Sequence, residues 1–401
     1  MNVIYISYDG LMEPLGQSQV LRYLEGLAER HLICLITFEK PADWQQVERR
    51  EQLVQKVRAA GIHWVPLRYH KRPTAIATSF DICQGLMAGL YLALRFRARI
   101  AHARGYVPSV IALGLKNILG LRYVFDMRGF WADERVDGGL WPAGARLYRV
   151  AKWFERRFLL NADQVVSLTR AAVDIIQDFP YLQGRPLNFA VITTCTDLNL
   201  FQPGLEASRH EADRPFTVGY VGSVGVWYMF DETLVAFKFL KEQVPSAVLR
   251  ILNRDEHAFI RERLAFHGID PAGVSIQSAD YFGVAAAMRQ MDVGIFFIKP
   301  AFSKIASAPT KLGEFLGCGV PCLGNAGVGD MGGILNGEAV GVAVTSFEGQ
   351  ALKAGVMRLL ELRRHPDIAR RCRAAALKHF SLTGGIQAYD EIYARLGASS
   401  S

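Results

Sequence analysis

Residues 196–222, TDLNLFQPGLEASRHEADRPFTVGYVG, hold a stop and a restart. The stretch 196–215 is polar, rich in turn formers and punctuated by prolines, which is the composition of a linker. FTVGYVG then opens a β-type run that closes on Gly222. Upstream, short apolar runs alternate with helical ones: VIYIS (3–7), LICLITF (32–38), IHWV (62–65), RIAHA (99–103), YVFDM (123–127) and QVVSL (164–168). Downstream the alternation starts again with AVLRIL (247–252), VSIQ (274–277), DVGIFFI (292–298), VPCL (320–323) and GVAV (341–344). Short buried strands separated by helices specify parallel sheets covered on both faces. The expected architecture is two doubly wound α/β domains, 1–200 and 216–380, joined by a linker at 201–215. Ligands of such sheets bind at the carboxyl ends of the strands, and a cleft between two of them is the expected place for chemistry.

A chain of 401 residues suits two domains of ordinary size. Its net charge of +8 is mildly basic and fits phosphorylated ligands, nucleic acid or an anionic membrane without selecting one. No interleaved aromatic platform or concentrated basic stripe supports nucleic acid as a partner. Met1 leads straight into NVIYIS with no basic n-region, so no secretory signal is expected. The apolar run ICQGLMAGLYLAL, 82–94, is shorter than the roughly 20 residues of a spanning helix. A cytoplasmic protein is the expectation. Cys34, Cys83, Cys195, Cys318, Cys322 and Cys372 form no CxxC pair and read as buried reduced thiols.

The loops at predicted strand ends carry the chemistry. After the first strand, YDGLMEPLGQSQ (8–19) places Gly16 before a helix that Ser18 is positioned to cap, with Val20, Leu21, Leu24, Leu27 and Ala28 on its apolar stripe. DMRGFWADER (126–135) crowds Asp126, Arg128, Asp133, Glu134 and Arg135 into one loop, more charge than is cheaply buried. In the second half, YVGSVGVWYMFDE (220–232) brackets Ser223 with Gly222 and Gly225, and this loop carries no GxGxxG fingerprint. FFIKPAFSKIASAPTKLGE (296–314) then brings Lys299, Lys304 and Lys311 onto a strand-to-helix crossover, which reads as a polyphosphate cradle. Its helix is expected to start with Thr310 as N-cap and to stop at Gly319 and Pro321, with Leu312, Phe315 and Leu316 buried and Lys311 and Glu314 paired on another face.

Taken in order, SYDGLMEPLGQSQVLRYLEGLA, HARGYVPS, FDMRGFWADERVDGGLW, CTDLNLFQP, GYVGSVGVWY and SAPTKLGEFLGCGVP resemble the retaining glycosyltransferases of glycosyltransferase family 4. The resemblance implies the GT-B fold, two Rossmann-like domains facing each other across a cleft, with 381–401 a C-terminal helix returning towards the first domain. It implies a ribose contact for Glu314 and donor-side roles for Gly16, Gly222, Ser223, Arg254, Ser307 and Thr310. Arg128, Lys304 and Lys311 become the expected catalytic cations, and Asp9, Gln17, Arg104, Asp126 and Asp133 the acceptor-side residues. The sequence departs from the family at three places. Ala306 stands where relatives have a glutamate contacting the donor sugar, Ser223 where many have a diphosphate-binding arginine, and Arg128 where a histidine is frequent.

The implied activity is transfer of a sugar, with retention, from a nucleoside-diphosphate donor, UDP or GDP, to a glycan or lipid-linked acceptor in cell-surface polysaccharide or glycolipid assembly. No cofactor is expected. The chain contains no Asp-x-Asp, so lysines and helix termini are expected in place of a metal. ARLYRVAKWFERRF, 145–158, is basic and aromatic, suiting peripheral contact with an anionic membrane. A sugar-nucleotide epimerase or hydrolase, or a non-catalytic nucleotide-binding scaffold, are the alternatives.

Overall fold

The computed structural model describes residues 1–204 and 214–398, and the chain divides into two compact units. Most of the expected linker, 205–213, lies outside the described residues. The first unit comprises Met1–Thr193 together with the chain's end from Leu382, and the second comprises Thr194–Ser381. Leu198 and Phe201 are buried in the second unit's apolar core, so the part of 196–215 preceding Gly204 is packed structure.

In the first unit, strands β1 (Asn2–Ser7), β2 (Leu32–Glu39), β3 (His63–Arg68), β4 (Ile100–Arg104), β5 (Arg122–Asp126), β6 (Gln164–Ser167) and β7 (Phe189–Val191) form one sheet in the order β3-β2-β1-β4-β5-β6-β7. Every neighbouring pair is parallel. Helix α1 runs unbroken through Pro14–Gly16, a wider turn at Gln17–Leu21 and Arg22–Ala28. It starts four residues before Ser18, because Pro14 presets the first helical turn; the Ser18 hydroxyl donates back to the Pro14 carbonyl instead of capping. Helices α2 (Thr74–Phe96), α3 (Tyr106–Leu119) and α4 (Arg146–Asn161) follow β3, β4 and a short helix after β5. Right-handed crossovers place these three on one face of the sheet, in the order α2, α3, α4, with α3 packed against both others. Helix α2 is longer than the apolar run 82–94 implied, reaching 23 residues.

In the second unit, β8 (Thr217–Val221), β9 (Val248–Leu252), β10 (Val274–Gln277), β11 (Val293–Ile295), β12 (Cys322–Asn325) and β13 (Gly341–Val344) form a second all-parallel sheet, ordered β10-β9-β8-β11-β12-β13. Helix α5 (Phe230–Gln243) follows β8, and the two-turn α6 (Thr310–Gly317) precedes β12. Leu312, Phe315 and Leu316 are buried as their spacing predicts. Pro309 occupies the N-cap position of α6, so Thr310 is its first helical residue. The last helix, α7 (Leu382–Ala398), packs on α1, where the bare Gly26 backbone receives Ile386.

Five of the cysteines are buried, and Cys83, on the outer face of α2, is exposed.

Candidate functional site

The loop 222–229, between β8 and α5, is held on several sides. Gly222 sits at φ +111°, a conformation open to glycine, and Val226 at φ +46° is strained for a β-branched residue. The Tyr220 hydroxyl donates to the Ser223 carbonyl at 2.5 Å. Met229 N–H donates to the Phe297 carbonyl at 3.0 Å, and Lys299 N–H to that of Trp227 at 2.9 Å. The carboxylate of Glu256, just beyond β9, accepts on one oxygen from the Ser223 hydroxyl (2.7 Å), Val224 N–H (3.0 Å) and Asn253 Nδ2 (2.8 Å). Burial works to raise the Glu256 carboxyl, but donors from Ser223, Asn253 and the Val224 and Gly225 backbone prevail and hold it below the usual range.

Two lysines are seated on consecutive aromatic residues of this loop. Lys304, in a short turn at Phe302–Ala306, places Nζ 3.7 Å from the centre of the Trp227 ring. Lys311, in the first turn of α6, places Nζ 4.1 Å from the Tyr228 ring centre, 5.2 Å from Tyr220 and 5.4 Å from Phe296. The Lys311 ammonium is buried with no hydrogen-bond partner. It lies against Gly222, where a Cβ would come within 2.8 Å of Nζ. Burial drives the Lys311 ammonium down to about 7, against the opposing pull of Glu314 and Glu256. Burial likewise raises the Glu314 carboxyl to about 7, opposed by Lys311. A cation packed against ring faces, with its N–H donors unspent, is arranged to receive an anion.

The first unit gathers a different cluster at the carboxyl ends of β1, β4 and β5. Asp126 is fully buried and accepts from the Tyr389 hydroxyl of α7 at 3.0 Å. Arg128 Nη1, His102 Nε2 and Arg104 Nη1 lie 3.7, 3.8 and 3.9 Å from its oxygens. Arg104 Nε also lies 3.8 Å from Asp9, and His102 Nδ1 pairs with the Tyr393 hydroxyl at 2.6 Å. Burial works to raise the Asp126 carboxyl, but Arg128, His102 and Arg104 lower it below the usual range, while burial also lowers His102. Arg128 occupies the left-handed region at φ +57°, a strained setting for a side chain held this closely.

Residues 16–192 match the family model described as a glycosyl transferase 4-like domain. The chain carries a glycosyl transferase 4-like domain on the GT-B fold. The chain is similar in structure to sucrose-phosphate synthase from Thermosynechococcus elongatus, at TM-score 0.73 and 17% identity over 99% of each chain. It is similar to HepE of Anabaena in complex with UDP-glucose, at TM-score 0.67 and 15% identity over 98% of this chain and 100% of that one. The lipopolysaccharide outer core galactosyltransferase WaaB superposes with TM-score 0.64 and 10% identity, over 98% of this chain and 100% of its own. No curated protein matches by sequence.

The expected donor-side residues divide between the two units. Gly222, Ser223, Lys304 and Lys311 gather around one loop, as described above, whereas Lys299 is exposed. Ser307 and Thr310 flank the start of α6 and are half-buried, and Glu314 is one turn further along. Arg254 is exposed beside Asp255, with Nε 4.0 Å from that carboxylate, and Ala306 is buried. Gly16 lies in the first unit inside the first turn of α1; a Cβ there would meet the Gly10 carbonyl at 2.0 Å, so the space its missing side chain leaves is filled by the chain's own loop. Gln17 follows it in the same helix, half-buried.

Asp133 is committed elsewhere in the first unit. It accepts from the Tyr148 hydroxyl at 2.9 Å and from Lys152 Nζ at 3.0 Å, and the same Lys152 pairs with buried Glu155. Sequence reasoning missed Glu256, although it lies in the strand-end segment 253–256 that drew attention to Arg254. It also missed Tyr389 and Tyr393, whose four-residue spacing on a helix puts both rings on one face. Among the described residues no three His, Cys, Asp or Glu side chains gather as a metal site.

Proposed function

We propose that this glycosyltransferase moves a hexosyl group, with retention, from a nucleoside-diphosphate donor to a glycan or lipid-linked acceptor in cell-surface polysaccharide or glycolipid assembly. The observation that carries the reading is the buried Lys311 ammonium, which has no hydrogen-bond partner and lies against the bare backbone of Gly222. Lys311, with Lys304, receives the charge that grows on the departing diphosphate as the C–O bond to the sugar breaks. The acceptor oxygen attacks the same face, and its proton passes to the leaving phosphate. Glu314 takes the ribose, and α6 directs unpaired N–H groups towards the phosphates. UDP is the first choice of donor nucleotide, supported by the HepE complexes, and GDP the second.

No divalent cation is needed if the lysines neutralise the diphosphate. Arg128 and Arg104, with Asp9, Gln17, Asp126 and Asp133, belong to the acceptor side in this reading. The work is placed in the cytoplasm, with residues 145–158 touching the cytoplasmic leaflet.

Calorimetric titration with UDP, GDP and dTDP in EDTA tests it, on the wild-type protein and on Lys311→Met. Metal-free binding of one nucleotide, lost in the variant, supports the proposal. Binding that requires a divalent ion removes the metal-independent mechanism. Donor consumption that is equally fast without any acceptor moves the reading to an epimerase or hydrolase, and no binding at all moves it to a scaffold.

A further inference from the structure

Helix α2 is built with two opposed faces. Asp81 is fully buried and accepts from the Tyr8 hydroxyl at 2.8 Å and from the His70 backbone N–H at 3.1 Å. Gly85 and Gly89 lie so near α3 that a Cβ on either would meet Ile111 or Leu115 at 2.5 and 2.9 Å. That face is fixed to the domain. The other presents Ile76, Phe80, Met87, Tyr91 and Leu94, each at least half exposed, along a rod of about 35 Å at 1.5 Å per residue. A stripe of large apolar side chains this long exceeds what a soluble surface ordinarily shows.

The charges around the stripe identify what covers it. Exposed Lys71 and Arg72 precede the helix, and exposed Arg95, Arg97 and Arg99 follow its stripe. Asp81 is the only acid in α2, α3 has none, and Glu155 is the only acid in α4; both carboxylates are buried. Alongside, α3 exposes Ile118, and α4 exposes Leu147, Val150 and Trp153 among Arg146, Arg149, Arg156 and Arg157. The outer surface of this three-helix layer is therefore apolar and cationic, with no exposed carboxylate of its own. A second copy docking layer to layer would set cations against cations in either orientation. An anionic bilayer supplies both the apolar interior and the negative headgroups.

We propose that the α2–α3–α4 layer is a membrane-docking surface, with α2 lying in the plane of an anionic leaflet and its apolar stripe below the headgroups. This extends the contact suggested for 145–158 to a second and more apolar helix. It does not depend on the donor chemistry, because docking is read with no sugar nucleotide present.

The test is co-sedimentation of the full chain with vesicles of phosphatidylglycerol and phosphatidylcholine, and with phosphatidylcholine alone. The wild-type protein is expected to sediment with the anionic vesicles, less so as salt rises. Met87→Glu combined with Leu94→Glu is expected to weaken that binding at least tenfold, with an unchanged melting temperature showing that the fold survives. Arg95→Gln combined with Arg97→Gln is expected to flatten the salt dependence. Equal sedimentation of the glutamate variant overturns the proposal, as does equal binding to uncharged vesicles. A dimer in solution that Met87→Glu dissolves also overturns it, in favour of a second copy.

Discussion

Each unit holds the loop after its first strand with a glutamate from the end of its second, but the two carboxylates are in opposite electrostatic states. In the first unit Glu39, the last residue of β2, accepts from Leu11 N–H at 2.8 Å, Met12 N–H at 3.1 Å and the Thr37 hydroxyl at 2.6 Å. Burial outweighs these donors and raises the Glu39 carboxyl. In the second unit Glu256 does the same work for the loop after β8, and its donors outweigh burial. Neither loop is an empty nest of N–H groups waiting for phosphate, since the protein supplies an anion to each. What differs is the cation left over. Arg104 and Arg128 lie around the buried Asp126, whereas the Lys311 ammonium packs against rings with no hydrogen-bond partner. An unspent buried charge, more than a glycine pattern, distinguishes the proposed donor side.

Replacing that charge should break the comparison most visibly. Lys311→Met is expected to weaken UDP binding about 30-fold, the factor that corresponds to roughly 2 kcal/mol for a hydrogen bond to a charged group, as read by calorimetry. The same variant removes a buried ammonium that nothing pairs, so the ligand-free protein should melt higher, by about 2–4 °C for each kcal/mol recovered. A variant that binds normally or melts lower would remove Lys311 from its role. Gly222→Ala comes next: its φ of +111° disfavours a side chain, and the new methyl would displace the Lys311 ammonium. A loss of about tenfold in affinity is expected from the roughly 1–3 kcal/mol of strain such backbone positions carry.

The glutamates sharpen the contrast through pH. The stability Glu256 contributes is present above its unfolded value near 4.5 and is lost as pH falls through its lowered folded value. Glu39 runs the other way, contributing below about 4.5 and losing that contribution as pH rises through its raised folded value. Denaturant titrations of Glu256→Gln and Glu39→Gln across the acid range should therefore give stability differences with opposite slopes; parallel slopes would erase the distinction. The smallest effect concerns Lys311 itself. With its ammonium near 7, UDP affinity should fall several-fold as pH rises through about 7, and that part of the slope should vanish in Lys311→Met.

Much of the fold was legible because parallel strands buried on both faces read as short apolar runs. Strand β7 escaped, since Phe189–Val191 is three residues long and only partly buried. Composition marks 196–215 as linker, yet Leu198 and Phe201 within it are core residues, because two apolar side chains do not change the average of a polar stretch. In the site, the crossover sequence brings Lys304 and Lys311 to notice together with the loop that receives them. Sequence does not show that Trp227 and Tyr228 serve as platforms for lysines from elsewhere. Tyr220 and Tyr228, from one stretch, and Phe296, from another, are brought around one ammonium, and the sheet's strand order joins the two. Asp133 shows another thing hidden from the sequence: a charged residue on a strand-end loop invites a ligand, and the fold also brings it a lysine from 19 positions later.

Helix α7 follows the whole second unit in sequence but completes the first, delivering the Tyr389 hydroxyl to Asp126 and that of Tyr393 to His102. During synthesis, then, all seven strands of the first sheet can be assembled while their most heavily charged buried cluster still lacks its lid. Of the two units, the one whose synthesis starts earlier is the later to be finished. A chain cut short by a few helical turns would lose the integrity of its beginning, and quality control acting on such products would find the exposed defect at the opposite end of the sequence from the missing residues.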